Sequence, residues 1–137
     1  MAKRRSWAEK LADGKPHEVK PVPCDMAGMK AGQLMLIPSA RMIDAFVRAI
    51  PAGEAMDVKA MRTRLAAANG AEVCCPITAG IHLRVVAEAT HEALAAGAPA
   101  SAVAPYWRVI DATAPIARKL SFDAAEIAVA RAREGLG

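Results

Sequence analysis

The chain has 137 residues, enough to close one hydrophobic core without metals or disulfides and too few for two domains of ordinary size. Hydrophobic residues make up 54% of it but aromatics only 4%, so the core must be built from Ala, Val, Leu, Ile and seven Met, which favours packed helices. The net charge of +4, from 18 Lys and Arg against 14 Asp and Glu, tolerates an anionic partner without demanding one, and no run approaches the roughly 20 apolar residues that span a bilayer.

The basic start Lys3-Arg4-Arg5 leads into Trp7-Ala8-Glu9-Lys10 and not into an apolar signal core, so a cytoplasmic protein with no membrane partner is expected. Trp7 and Leu11 share one face of a short helix after this tail. The segment reads either as an arm that tracks phosphates or as a solvated, frayed terminus. Pro, Gly and Met from Pro21 to Gly32 predict irregular chain, and Gln33 to Ile37 a brief extended segment stopped by Pro38. Ser39 then caps a helix whose apolar residues Met42, Ile43, Phe46, Val47 and Ile50 recur at helical spacing until Pro51-Ala52-Gly53.

Asp57 caps a second helix with Val58, Met61 and Leu65 on one face and Lys59, Arg62 and Arg64 on the other, ended by Asn69-Gly70. After Cys75-Pro76, Thr78 is expected to cap a third helix that buries Ile81, Val85, Val86, Ala89, Ala93 and Leu94. Two helices joined by a short turn, the later one opening on Thr78, Ala79 and Gly80, fit the helix-turn-helix pattern that lays its second helix in a groove, a pattern many helical bundles share. Gly97 to Ala104 reads as loop and Pro105 to Ile110 as an extended apolar segment. Asp123 and Glu126 form a capping-box pair for a last helix through Ile127, Val129 and Ala130, terminated by Gly135. The cysteines, Cys24, Cys74 and Cys75, lack zinc spacing and are expected to be reduced thiols; neither a metal nor a cofactor is expected.

Three stretches, Phe46 to Glu54, Leu83 to Ala89 and Pro105-Tyr106-Trp107-Arg108-Val109-Ile110, occur in the order of the landmarks of one family. Over about residues 42 to 135 the chain resembles the C-terminal, DNA-binding domain of the alkylguanine-DNA alkyltransferases. The resemblance implies a mainly α fold with minor β. Residues 41–137 would form a winged helix-turn-helix domain, and residues 1–40 a basic, partly irregular extension. In that family a Pro-Cys-His-Arg-Val strand places a nucleophilic Cys beneath a flipped guanine. Here Tyr106 stands at the Cys position and Trp107 at the His position. A phenol with a pKa of about 10 is a poor alkyl acceptor beside an activated thiolate, so no catalytic residue and no methyl transfer are expected. In losing the Cys the chain is similar to the alkyltransferase-like proteins, which bind alkylated guanine without chemistry, although those retain the His.

Carried across, the resemblance puts Arg84 at the family's intercalating arginine, able to fill the space of an extruded base. The alternative is an ion pair with Glu88 one turn later, worth about 0.2 to 0.5 kcal/mol; Glu88 and Glu92 would repel nearby phosphates. Val58 replaces a Tyr near the target phosphate, with Lys59 beside it. Glu134 matches a terminal Glu that orients the missing His, and without that His it reads as a surface carboxylate. Residues 111 to 120 lack the glycines of the family's wing.

The expected DNA contacts are therefore Arg84, Thr78, Gly80, His82, Lys59, Arg62 and Arg64, with Tyr106, Trp107 and Arg108 lining a base pocket, the Tyr-Trp pair reading equally as core. The expected function is non-enzymatic binding of double-stranded DNA, with recognition of alkylated or damaged bases, and a repair-protein partner, as open extensions. Two alternatives stand beside it. One is a protein-interaction domain on the same fold. The other is a thiol enzyme using Cys75, placed before a helix start that lowers thiol pKa values, with His82 about a turn into that helix.

Overall fold

The structure, a computed structural model, describes residues 6–136. The basic run Lys3-Arg4-Arg5 lies outside the described residues. Helix α1 (Trp7–Ala12) starts at Ser6, whose hydroxyl accepts from the Glu9 N–H at 3.1 Å. It does not fray into solvent: it packs on the long helix α4 (Pro76–Ala95) and, less extensively, on α2 (Ala40–Ala49).

Strand β1 (Glu18–Pro21) pairs antiparallel with β2 (Leu34–Ile37), and β2 pairs in parallel with β3 (Val73–Cys74), giving the order β1-β2-β3. β2 is the extended segment expected before Pro38. β1 was not foreseen, because all of its residues are exposed and no apolar alternation marks it. Its Lys20 and Pro21 suit an edge strand, where unpaired backbone groups would otherwise recruit another strand. Leu36, at 0% exposure, carries β2 into the main core, while Val22, Met29, Met35 and Cys75 form a smaller apolar cluster on the sheet.

The caps of α2 and α3 (Val58–Ala68) are those expected. Ser39 Oγ accepts from Met42 N at 3.1 Å and Asp57 Oδ1 from Ala60 N at 2.7 Å. Ile43, Val47 and Ile50 are buried from the first helix, and Met61, Leu65 and Ala66 from the second. α3 ends where Gly70 takes a φ of +68°, a conformation that favours glycine.

Helix α4 departs from expectation twice. It begins at Pro76, not after a Thr78 cap: Cys75 is the flanking residue, and Pro is suited to a first helical position whose N–H would be unpaired anyway. Thr78 instead donates its hydroxyl proton to Cys75 Sγ at 3.3 Å. Its buried face is Ala79, Leu83, Val86, Ala87, Glu88 and Thr90, leaving Ile81 57% exposed. Apolar residues surround the first half of this helix, so periodicity could not choose the face; packing against α1 and α2 does.

Pro105 to Ile110 is not extended either. Tyr106–Arg108 form a 3-10 turn whose Tyr106 carbonyl accepts from the N–H groups of both Val109 and Ile110 at 2.9 Å. Among the described residues no strand follows β3, and Pro115–Lys119 form another 3-10 turn. Helix α5 (Ala124–Arg133) is capped by Asp123, which accepts from Ala125 N at 2.8 Å, but Glu126 does not complete the expected box, because its carboxylate meets His91 of α4. Ile127 is buried, whereas Val129 is 51% exposed. The fold is thus mainly helical with a small sheet. Among the described residues no helix is long and apolar enough to cross a membrane.

Candidate functional site

The 3-10 turn after Pro105 packs on the end of α5. Tyr106 and Trp107 are both buried, their rings edge to face with centroids 5.3 Å apart, and Tyr106 meets Phe122 in the same manner at 5.8 Å. Beside Tyr106 and Trp107, on the wall of a cavity that all three line, lies Glu134, which is not the surface carboxylate expected from the sequence. It accepts from Trp107 Nε1, from Arg108 Nε at 2.8 Å and Nη2 at 3.1 Å, and from the Gly53 N–H at 3.0 Å. Burial alone would raise its pKa; the hydrogen bonds from Arg108, Trp107 and Gly53, with the Arg108 charge, override it and bring the carboxyl down to about 2. The sequence signal was available in part, since an indole N–H donates as an imidazole N–H does. Arg108 is committed here too, donating through Nη1 to the Ile50 carbonyl at 2.6 Å, so its place is behind the aromatic pair.

In front of the pair opens a cavity of about 600 Å³, within the roughly 300–1,000 Å³ usual for small-molecule sites. Tyr106 and Trp107 contribute to its walls with Leu94 of α4 and Val129 and Ala130 of α5. His91 stacks on Phe122 at 4.2 Å with an interplanar angle of 12°, and its Nδ1 lies 2.9 Å from Glu126 Oε2, tying α4 to α5 at this cavity. Burial, reinforced by the charges of Glu126 and Glu88, pushes the Tyr106 hydroxyl above the ordinary phenol range, so it stays a protonated donor.

The expected DNA contacts divide by position. Lys59 and Arg62 of α3 line a second cleft, of about 410 Å³, together with Pro76 at the start of α4. Arg64 faces elsewhere, into a cleft shared with Phe46, Pro51 and Glu54. Thr78, Gly80 and His82 are all half-buried; burial lowers the His82 pKa, and a Cβ added at Gly80 would meet nothing within 4 Å. Arg84 is half-buried beneath α1: its guanidinium carbon lies 5.5 Å from the Trp7 ring centroid, and its Nε is enclosed without a hydrogen-bond partner.

Neither acidic neighbour behaves as expected. Glu88, 1% exposed, does not pair with Arg84 but accepts from the Ser121 N–H at 2.9 Å and hydroxyl at 2.6 Å. Glu92 accepts from the N–H groups of Trp7 and Ala8 at the start of α1, at 3.2 and 3.3 Å.

No family model, curated protein or solved structure matches the chain. The functional reading therefore rests on the residues and their arrangement. For the thiol alternative, Cys75 is buried with its sulfur accepting from Thr78, and burial and the neighbouring Cys75 push Cys74 up to about 11 despite the Arg62 charge. Among the described residues no cluster of His, Cys, Asp and Glu is placed to hold a metal ion.

Proposed function

We propose that this protein binds double-stranded DNA without performing chemistry on it, seating the first half of α4 and the Lys59–Arg62 edge of α3 against the duplex. The observation that carries the reading is electrostatic. From Pro76 to Ala87 the helix has no Asp or Glu, and its start shares a cleft with two cations of the preceding helix. Such an edge suits phosphates, since the partial positive charge of a helix start and nearby Lys and Arg add. The 20 residues of α4 extend over about 30 Å, with the basic cleft at its start and the cavity over Tyr106 and Trp107 beside His91 and Leu94 near its end. In this reading the cavity takes a base turned out of the stack, alkylated guanine included, and Tyr106 offers it a phenol proton but no nucleophile.

Fluorescence anisotropy with a labelled duplex at two salt concentrations tests the proposal. Affinity at low salt that falls steeply as salt rises is expected, because neutralising phosphates releases counterions. Absence of binding at low salt, or binding indifferent to salt, refutes it. The same titration with O6-alkylguanine in the duplex addresses the cavity: tighter binding that Trp107→Ala abolishes supports base capture, and equal affinity with and without the lesion removes it.

A further inference from the structure

α4 buries Leu83, Val86 and Ala87 completely, yet at its first turns Ile77 is 54% and Ile81 57% exposed. Residues four apart lie one above the other on a helix face, so the two form one apolar ridge. Isolated exposed aliphatics are ordinary, but adjacent ones at the open end of a helix call for a partner.

We infer that Ile77 and Ile81 form a wedge that enters the duplex groove and prises a base step apart, while Lys59 and Arg62 hold the adjoining phosphates. The inference rests on the DNA reading above and adds how the duplex is deformed. Charge favours a polyanion as the occupant. Lys59 and Arg62 flank the helix start across the shared cleft, where they outnumber the one carboxylate that lines it. Glu72, on the same cleft, accepts from the Leu34 N–H at 3.1 Å, and Glu88 is buried against Ser121. Gly80, with open space where a Cβ would stand, lets the backbone come close beside the ridge.

Arg84, the residue the sequence suggested for insertion, is held against Trp7 with its Nε enclosed, whereas the isoleucines already project. Apolar wedges of this kind partly unstack a base step and kink the duplex by about 20–90°. Pyrimidine–purine steps, which unstack most readily, are where such a wedge belongs.

The test uses the full chain and a duplex carrying 2-aminopurine at a TA step, whose fluorescence rises when the base unstacks. The wild type is expected to raise it severalfold at saturation, and so is Arg84→Ala. The double variant Ile77→Ala/Ile81→Ala is expected to keep the salt dependence of binding but lose most of that rise, with about tenfold weaker affinity; both side chains are exposed, so an unchanged circular dichroism spectrum is expected too. Salt-dependent binding without a fluorescence rise, or a rise that the double variant retains, overturns the wedge and leaves the DNA reading standing. Failure of the wild type to bind at low salt overturns both. A wild-type dimer that the double variant converts to monomer, seen by light scattering, overturns the wedge by making the ridge a contact between copies.

Discussion

Glu134 shows how one side chain can hold three segments of the chain together. Gly53 follows α2, Trp107 and Arg108 lie in the 3-10 turn, and all donate to a carboxylate at the end of α5. Its carboxyl titrates lower in the folded chain than in the unfolded one, so its contribution to stability is present above the ordinary carboxylate pKa and is lost as pH falls from 4.5 toward about 2. Glu134→Gln should lower the unfolding free energy at pH 7 by about 1.5–3 kcal/mol, the range for hydrogen bonds to a charged group. Urea unfolding at pH 7, 4 and 2.5 checks the sign: the wild type should lose more stability across this window than the variant. Asp111, also shifted down by its Thr113 hydrogen bonds, titrates in both proteins, so the difference between them is the informative quantity. Identical pH dependences would contradict the network.

Tyr106 gives the opposite sign. It is the chain's one tyrosine, so alkaline absorbance changes report on it alone. Because burial raises its pKa, the stability it confers is intact below the unfolded value of about 10 and declines as pH climbs past it. Tyrosinate should therefore appear only together with unfolding, seen as coincident absorbance and circular dichroism changes above pH 10. Tyrosinate forming near pH 10 in the folded protein would show the hydroxyl to be solvated, and would leave the cavity with a different wall from the one described.

At the scale of elements, α1 depends on a residue far away in sequence. Six residues do not sustain a helix in water. Trp7 over Arg84 and the Glu92 carboxylate on the first free N–H groups hold it in place. Glu92→Ala removes that remote cap at a cost of about 1 kcal/mol, the usual size for a lost helix cap. Hydrogen exchange should then accelerate across Trp7 to Ala12 and remain slow in α4; unchanged exchange in α1 would mean that the aromatic contact alone anchors it.

Local chemistry explains which elements were legible. Ser39, Asp57 and Asp123 marked helix starts because a short oxygen-bearing side chain caps the N–H groups just beyond it, whatever the rest of the fold does. Where the decision is tertiary, the sequence was silent or misleading. Glu18 to Pro21 become a strand only because β2 lies alongside, and α4, apolar around its first half, takes its inward face from its neighbours. At Tyr106 the apolar run suggested a strand, but among the described residues no strand pairs with it, and its carbonyl closes a turn instead. The site was half visible for the same reason: aromatic residues and Lys59 with Arg62 could be picked out by type, whereas the Glu134 network and the shelter of Arg84 depend on which ends of the chain meet.

For the whole molecule, the consequential contact is the parallel pairing of β2 with β3. It places Leu36 opposite Cys74 and makes the chain before residue 40 part of the structure that carries α3 and α4. Leu36 is fully buried among residues of α2, α3 and α4, so Leu36→Ala should destabilise the protein by about 2–5 kcal/mol, the range for a Leu-sized cavity. If the sheet and helices are one cooperative unit, Trp fluorescence and far-ultraviolet circular dichroism should move to lower denaturant together, with no separate transition for the first forty residues. Trp7 reports on α1 and Trp107 on the turn beside the cavity, so Trp107→Phe isolates the first signal and Trp7→Phe the second. Within each protein the fluorescence and circular dichroism midpoints should coincide and shift together with Leu36→Ala, the Trp107→Phe protein unfolding at lower denaturant because Phe cannot donate to Glu134. A Trp7 signal lost well before the circular dichroism transition of the same protein would instead make the N-terminal segment an accessory that the helical core can shed.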